Sequence, residues 1–210
     1  MLKDLYVSDT LRCYRMRSYK AYGVEKSNPP DPGAYMPRLR FEQTVRDRIL
    51  SGLKALPLSQ NVPVAGPGLK GVAHAVVSKP EGATVYQVEI VHRMAKRGSA
   101  RKRATVGVLV SLAKASGGVL AEVSRDDFSV KESPIPPEDI QLGLGDWEKF
   151  RAGLESGEMP EGPMEEWECR LCAWRDACLE DRGVKKRNAS GIDRILDVLD
   201  EEPLPFAVSQ

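Results

Sequence analysis

The sequence predicts a single α/β domain. Stretches rich in β-branched and apolar residues are typical of strands, and helix-length apolar stretches lie between and after them. The strand-like stretches span residues 69–78, 84–92 and 119–123, and the helix-like stretches span residues 104–114 and 138–156. With 210 residues, 41% of them hydrophobic, the chain can bury one substantial core. Strands that alternate with helices around one core indicate an α/β fold.

The N-terminal part is predicted to be helical. Ser8 would cap a first helix with a basic face. The prolines of residues 27–33 lack amide protons and fix φ, so this stretch is predicted to be a loop. A second helix is expected over residues 37–56, where apolar side chains recur at roughly helical spacing. The arginines of both helices are either a solvated face or phosphate contacts.

The middle of the chain is predicted to form a hairpin. Residues 61–67 are a loop or the start of a strand, and residues 69–78 form the first clear strand. Pro80–Gly82 is a turn, and residues 84–92 return as a second strand. A helix then runs to the glycines at 117 and 118, which end it before the third strand.

The C-terminal part is predicted to be helical again. Residues 133–137 contain three prolines and form a joint, after which the helix at 138–156 leads towards the last cysteines. Residues 200–210 form an acidic tail interrupted by prolines. This tail is either a frayed terminus or a peptide that binds a protein partner through Phe206.

We therefore expect one compact domain built from consecutive segments. These are an N-terminal helical segment at 1–60, an α/β core at 61–130, a C-terminal helical segment at 131–188 and the acidic tail at 189–210.

Net charge and hydropathy limit the function. The net charge of +1 gives no global attraction to nucleic acid, so DNA binding would need a local basic patch. No apolar run approaches the ~20 residues that cross a bilayer, so no membrane partner is expected. The charged start Met1-Leu-Lys-Asp4 does not resemble a signal peptide, and we expect a cytoplasmic protein.

The cysteines have the spacing of ligands. Cys169, Cys172 and Cys178 form a C-x2-C-x5-C group, and Cys13 lies near the other end of the chain. Zinc and iron-sulfur clusters both favour four ligands, so Cys13 is the candidate for the fourth. Two disulfides, a zinc ion and an iron-sulfur cluster are all compatible with this spacing. A metal or cluster on all four thiolates would join the two ends of the chain.

Both ends of the sequence resemble RecB-like nucleases that carry an iron-sulfur cluster. The stretch Leu5–Tyr19, with serine, leucine, then Cys13, arginines and aromatics, resembles their opening motif, and the late cysteine group resembles their closing motif. The family includes CRISPR-associated RecB-like exonucleases, which process DNA ends before spacer integration, and the nuclease domains of AddB-type repair enzymes. The resemblance implies a restriction-endonuclease-type sheet flanked by helices, DNA as the partner, and an iron-sulfur cluster. It favours [4Fe–4S] over [2Fe–2S], with zinc as the alternative.

The same resemblance places the chemistry on the hairpin. PD-(D/E)XK nucleases present an Asp in a Gly-x-x-Asp context on one strand and Glu-x-Lys on the next. Here Gly71-Val-Ala-His74 has His at the Asp position, and Glu89 is followed by Val91 at the Lys position. The resemblance then implies catalysis by Glu89 and His74, with Lys96 replacing the missing lysine. Glu89 and His74 would hold Mn²⁺ or Mg²⁺, and imidazole favours Mn²⁺.

The densest basic segment follows this hairpin, at His92–Arg103. It is either a solvated loop or a phosphate-binding patch, and a nuclease-like sheet beside it favours phosphate binding. The candidate DNA contacts are Lys96, Arg97, Arg101, Lys102 and Arg103. Two functions are compatible with these residues. One is the processing or capture of DNA ends in CRISPR adaptation or DNA repair; the other is a catalytically inactive DNA-binding or scaffold subunit.

Overall fold

The structure is a computed structural model that describes residues 3–29, 32–53, 57–92, 99–157, 169 and 172–181. Within this part the elements, in chain order, are β1 (Leu5–Tyr6), a 3₁₀ turn (Val7–Asp9), α1 (Tyr14–Tyr22), α2 (Pro32–Ser51), β2 (Leu58–Gly66), β3 (Leu69–Lys79), β4 (Gly82–Val91), α3 (Ala100–Leu112), β5 (Gly117–Ser124), β6 (Val130–Pro134), α4 (Pro137–Ser156) and α5 (Arg175–Asp181). Lys96, Arg97 and the acidic tail with Phe206 lie outside the described residues.

The strands form one mixed six-stranded sheet. β2, β3 and β4 are consecutive antiparallel neighbours, β5 pairs parallel with β4, and β6 pairs antiparallel with β5. β1 pairs parallel with the first two residues of β3. Because β4 and β5 are parallel, α3 serves as the crossover between them. The mixed α/β fold with helices around the sheet is as the sequence predicts.

Two hydrophobic clusters cover the two faces of this sheet. On one face Val85 and Leu120 pack with α3 residues such as Val106. On the other face Val88 and Val123 pack with residues of α2. Neighbouring positions of a strand point to opposite faces, so residues 89 and 122 lie on the α3 side.

Helices α3 and α4 approach each other closely at two glycines. A Cβ on Gly107 would lie 2.7 Å from the Cα of Ile140, and a Cβ on Gly143 would lie 2.5 Å from the carbonyl oxygen of Ala104. Neither position has room for a side chain. The crossing fixes the start of α3 relative to the sheet.

The prediction of a helix capped by Ser8 is wrong. Ser8 is exposed, and the chain there forms β1 and the 3₁₀ turn before α1 begins at Tyr14. Leu5 and Val7 are 2% and 1% exposed, and this alternation of buried and exposed residues suits an extended chain docked on β3. Strand pairing with β3 therefore replaces the first helical turn.

The prolines at 133–137 are more than a joint, because they include the end of a strand. β6 pairs with β5 up to the pair Val119 and Pro134. It has one neighbour in the described sheet, and an edge strand tolerates proline because one side of its backbone needs no partner. β6 and β2 each cross one of the expected segment boundaries, at 130/131 and 60/61.

A buried ion pair ties the N-terminal segment to α4. Arg17 Nη1 donates to Asp146 Oδ2 over 2.7 Å, and both side chains are almost fully buried. The backbone N–H of Leu11 donates to the same oxygen over 2.9 Å. The guanidinium carbon of Arg17 lies 4.1 Å from the ring centroid of Phe150, so the charge is also stacked on an aromatic face.

No helix in the described ranges combines the length and the hydropathy needed to cross a bilayer.

Candidate functional site

The candidate site lies where β3 and β4 stop pairing through their backbones. Their register runs from Lys79 opposite Gly82 to Ala75 opposite Tyr86. At the next position His74 connects the strands instead, because the N–H of Val88 donates to His74 Nδ1 over 3.0 Å. The result is a sheet whose central strands are joined through side chains next to Glu89.

His74 is a buried neutral imidazole in this structure. Burial lowers its pKa to about 3, and the nearby cation of Arg46 adds to the shift. Since Nδ1 accepts a hydrogen bond, the ring proton is on Nε2; the amide nitrogen Nε2 of Gln87, 3.2 Å away, is also a donor, so these two atoms do not hydrogen-bond in this tautomer. The His74 N–H donates to Gln87 Oε1, also over 3.2 Å. A metal ion at this ring would therefore have to displace the Val88 N–H from Nδ1, or move the ring proton to Nδ1 and break the same hydrogen bond.

Glu89 lies beside a second carboxylate, that of Glu122. The two residues are register partners in the parallel β4–β5 ladder and face the α3 side of the sheet. Glu122 is 2% exposed, and Glu89 is partly buried. Burial raises the pKa of Glu89; Lys102 and Arg46 oppose this shift, and the carboxylates of Glu42 and Glu122 add to it. Burial is thus the main cause of the raised pKa of Glu89, and the surrounding cations and carboxylates act on it in opposite directions.

Lys102 supplies an ammonium to this pair of carboxylates. It lies in the first turn of α3, with its Nζ 3.8 Å from Glu122 Oε1 and its side chain one third exposed. The other oxygen, Oε2 of Glu122, is buried and has no hydrogen-bond partner among the described residues. Lys102 therefore reaches from the surface to a carboxylate that is not fully satisfied.

Three of the five predicted DNA contacts lie in the part of the chain that the structure describes. Arg101, Lys102 and Arg103 lie together in the first turn of α3. Arg103 Nε donates to Asp139 at the start of α4, so Arg103 already forms an ion pair within the protein. Lys96 and Arg97 fall outside the described residues.

Sequence reasoning missed Glu122. It is the one acidic residue within β5, whose other positions are glycine, alanine, serine and branched aliphatics. A carboxylate in a strand buried on both faces is unusual unless it is paired, and this pattern is visible in the sequence. What the sequence does not give is its partner, because Lys102 reaches it only through the crossover of α3.

The late cysteine segment, residues 172–181, contacts the part of the chain that follows α1. Cys13 occupies the N-cap position of α1, and the N–H of Cys178 donates to the Trp174 carbonyl at the start of α5. Trp174 Nε1 donates to the Val24 carbonyl over 2.9 Å, and Asn28 N–H donates to the Ala173 carbonyl over 2.8 Å. These contacts dock the late cysteine segment on the chain that follows α1.

Tyr19 of α1 makes a further contact with this segment, since its hydroxyl donates to Asp181. Burial raises the pKa of Tyr19, and the hydrogen bond to Asp181 and the proximity of Cys178 add to the shift.

None of the four cysteines forms a disulfide. Over the described ranges, no three His, Cys, Asp or Glu side chains lie close enough to hold one metal ion. The four-cysteine cluster stays a prediction.

Comparison with known proteins supports the fold and does not assign the chain to a family. No family model matches the chain, and no curated protein matches it. Among solved structures, the crystal structure of SSO0001 is similar, with a TM-score of 0.59 over 84% of this chain and 85% of that chain. The two sequences are 17% identical over this alignment, so the likeness shows a shared mixed α/β fold and nothing further.

Proposed function

We propose that this protein binds DNA at the first turn of α3 and that Glu89 contributes to cleavage of the phosphodiester backbone there. The observation that supports this most is the carboxylate of Glu89, partly buried beside the ammonium of Lys102 at the basic start of α3. In this proposal the protein is a RecB-like iron-sulfur protein that processes or captures DNA ends in CRISPR adaptation or DNA repair.

The donor set fits a hard divalent cation such as Mg²⁺ or Mn²⁺ at Glu89. Such ions prefer oxygen ligands, and Mg²⁺ is commonly bound by one or two carboxylates together with water and substrate phosphates. When bound, the ion would polarise the phosphate and lower the pKa of an attacking water. His74 fits less well, because its Nδ1 already accepts the Val88 N–H.

Each residue of the site would then have a role that follows from its charge. The carboxylate of Glu89 holds the cation near the scissile phosphate. Lys102 neutralises charge on the phosphate from the α3 side, the role that the missing lysine at position 91 would have had. Arg101, at the same helix start, contacts the neighbouring backbone phosphate.

Cleavage and binding assays with matched variants test this function. Wild-type protein is incubated with single-stranded and duplex DNA in Mn²⁺ or in Mg²⁺, beside Glu89→Ala and the exposed control Glu81→Ala. We expect cleavage that is stronger with Mn²⁺, absent in Glu89→Ala and unchanged in the control. DNA affinity should be retained or raised in Glu89→Ala, because a carboxylate beside phosphates is removed. Cleavage that survives Glu89→Ala would place the active site elsewhere.

A second candidate function is a DNA-binding or scaffold subunit without catalysis. The observation that favours it is the engagement of His74 in the sheet, at the position where the nucleases have a metal-binding Asp. Retained DNA binding with no cleavage in either metal would select this function over the first.

DNA binding itself is tested through salt dependence. Replacing Arg101, Lys102 or Arg103 with Gln should weaken binding to all sequences alike, and each lost phosphate contact should remove about 0.7 to 0.9 from the log-log salt slope. A loss confined to certain DNA sequences would contradict phosphate binding.

We also propose that Cys13, Cys169, Cys172 and Cys178 bind a [4Fe–4S] cluster, with zinc as the alternative. The docking of the late cysteine segment on the residues after α1 supports a joint site. Anaerobically purified protein should be brown with a band near ~400 nm. Cys13→Ser and Cys172→Ser should lower the metal content and the melting temperature equally. Colourless protein with stoichiometric zinc would exclude the iron-sulfur cluster, and unchanged metal in Cys13→Ser would exclude the end-to-end link.

A further inference from the structure

Glu122 has a geometry that the function proposed above does not use. Its side chain lies inside the sheet at 2% exposure, and its Oε2 has no hydrogen-bond partner in the described part of the chain. A buried carboxylate oxygen without a donor is destabilising, so the arrangement calls for a further cation or donor at this point.

Lys102 satisfies Glu122 only in part. The Nζ to Oε1 distance of 3.8 Å is beyond the range of a good hydrogen bond. The Lys102 side chain is also one third exposed, so it can turn outward to solvent or to a phosphate. The ammonium is therefore placed as a partner that can be displaced.

Glu89 is positioned to share a ligand with Glu122. The two are register partners on adjacent parallel strands, which lie about 4.8 Å apart, and both face α3. Two carboxylates at this separation on one face can reach a single ion with metal–oxygen distances near ~2.1 Å. Water or a substrate phosphate would complete the coordination, as is usual for Mg²⁺.

We propose that Glu122 and Glu89 together bind one divalent cation of the Mg²⁺ or Mn²⁺ class, and that Lys102 occupies Glu122 when the cation is absent. The proposal shares Glu89 with the proposed function and names Glu122 as its second carboxylate in place of His74. It does not require DNA, so it can be tested on the free protein.

Mn²⁺ binding to the protein without nucleic acid is the test. Free Mn²⁺ is followed by its electron paramagnetic resonance signal during titration of wild type, Glu122→Gln, Glu89→Gln and Lys102→Met. Glu132→Gln is the matched control, an exposed glutamate on the neighbouring strand β6. Mn²⁺ prefers oxygen to thiolate ligands, so the cysteines do not contribute to the signal.

The expected result is one bound Mn²⁺ in wild type and in the control. Affinity should fall at least tenfold in Glu122→Gln and in Glu89→Gln. It should rise severalfold in Lys102→Met, because the competing ammonium is gone. Glu122→Gln is the variant that separates the proposal from an ion held by Glu89 alone, since the loss of the Lys102 charge would raise cation affinity at Glu89 in either case.

Wild type that binds no Mn²⁺, or Glu122→Gln that binds it as wild type does, would overturn the proposal. Circular dichroism of each variant checks folding, and the gain in Lys102→Met does not depend on a variant losing structure. Mn²⁺ binding at Glu122 without any DNA binding would refute the proposed function alone. DNA binding with no change of Mn²⁺ affinity in Glu122→Gln would refute this inference alone.

Discussion

The buried imidazole of His74 makes the stability of the protein depend on pH. In the unfolded chain a histidine takes up a proton near its ordinary pKa of 6.5. In the folded protein burial lowers the pKa of His74 to about 3, so the ring stays neutral down to about that pH. Between these values the unfolded state binds the extra proton, so the free energy of unfolding falls as the pH falls through this window. The contribution is fully present above about pH 6.5. At about pH 5 the loss is about 2 kcal/mol, from 1.36 kcal/mol for each pH unit.

Replacing His74 with Gln tests this magnitude. Glutamine does not titrate, and its side-chain oxygen can still accept the Val88 N–H that His74 accepts. The exposed His92 is the other histidine of the chain, so His92→Gln is the matched control. Urea unfolding at about pH 7.5 and about pH 5, with chelator present, gives the change in unfolding free energy for each protein.

We expect wild type and His92→Gln to lose about 2 kcal/mol more than His74→Gln over this interval. Groups that titrate in all three proteins cancel in the comparison. An equal loss in wild type and His74→Gln would refute the reasoning, because the ring would then be protonated alike in both states. Titration of the His74 ring near pH 6.5 by nuclear magnetic resonance would refute it directly.

The remaining predictions concern packing between the N-terminal segment, α3 and α4. Gly107→Ala and Gly143→Ala should each destabilise the protein by about 1 to 3 kcal/mol in urea unfolding, because the new methyl meets backbone atoms. Gly145→Ala, with open space around it, should stabilise by about 0.5 to 1 kcal/mol, and equal effects at all three sites would contradict the close crossing. Arg17→Met should destabilise by about 3 to 5 kcal/mol because it leaves Asp146 charged and buried. Arg17→Met combined with Asp146→Leu should recover much of that loss; no recovery would show that the guanidinium acts through its aromatic contacts instead.

The strands and helices with strong local patterns could be predicted from the sequence. The expected strands at 69–78 and 84–92 correspond to β3 and β4, and the expected helix at 138–156 corresponds to α4. In each case the side chains that set the pattern also form the core, so local preference and tertiary packing agree. The α/β class follows from these elements alone.

The short elements could not be predicted because they depend on their neighbours. β1 has two residues, too few for a pattern, and exists through its pairing with β3. β6 ends in a proline that reads as a loop until the edge of the sheet is known. In both cases the information lies in the partner strand.

Part of the candidate site could be predicted in the same way. Glu89 stands out in the sequence through the resemblance to the Glu-x-Lys motif of PD-(D/E)XK nucleases, and Lys102 stands out as a member of a basic segment. The sequence does not indicate their closeness to Glu122, since this closeness requires the register of β4 with β5 and the placement of α3 above both strands. Such a site is a property of the topology, and a linear sequence holds no spacing rule for it.

The ion pair of Arg17 with Asp146 has a consequence for the order of folding. The two residues are 129 positions apart, and all six strands of the described sheet lie before Asp146 in the sequence. During synthesis Arg17 therefore emerges long before its carboxylate, and its guanidinium stays hydrated while the sheet assembles. Closing so long a loop is slow unless the intervening chain is already compact. Docking of the N-terminal segment should accordingly follow formation of the sheet, and the start of α1 should exchange its amide hydrogens earlier than the central strands β3, β4 and β5.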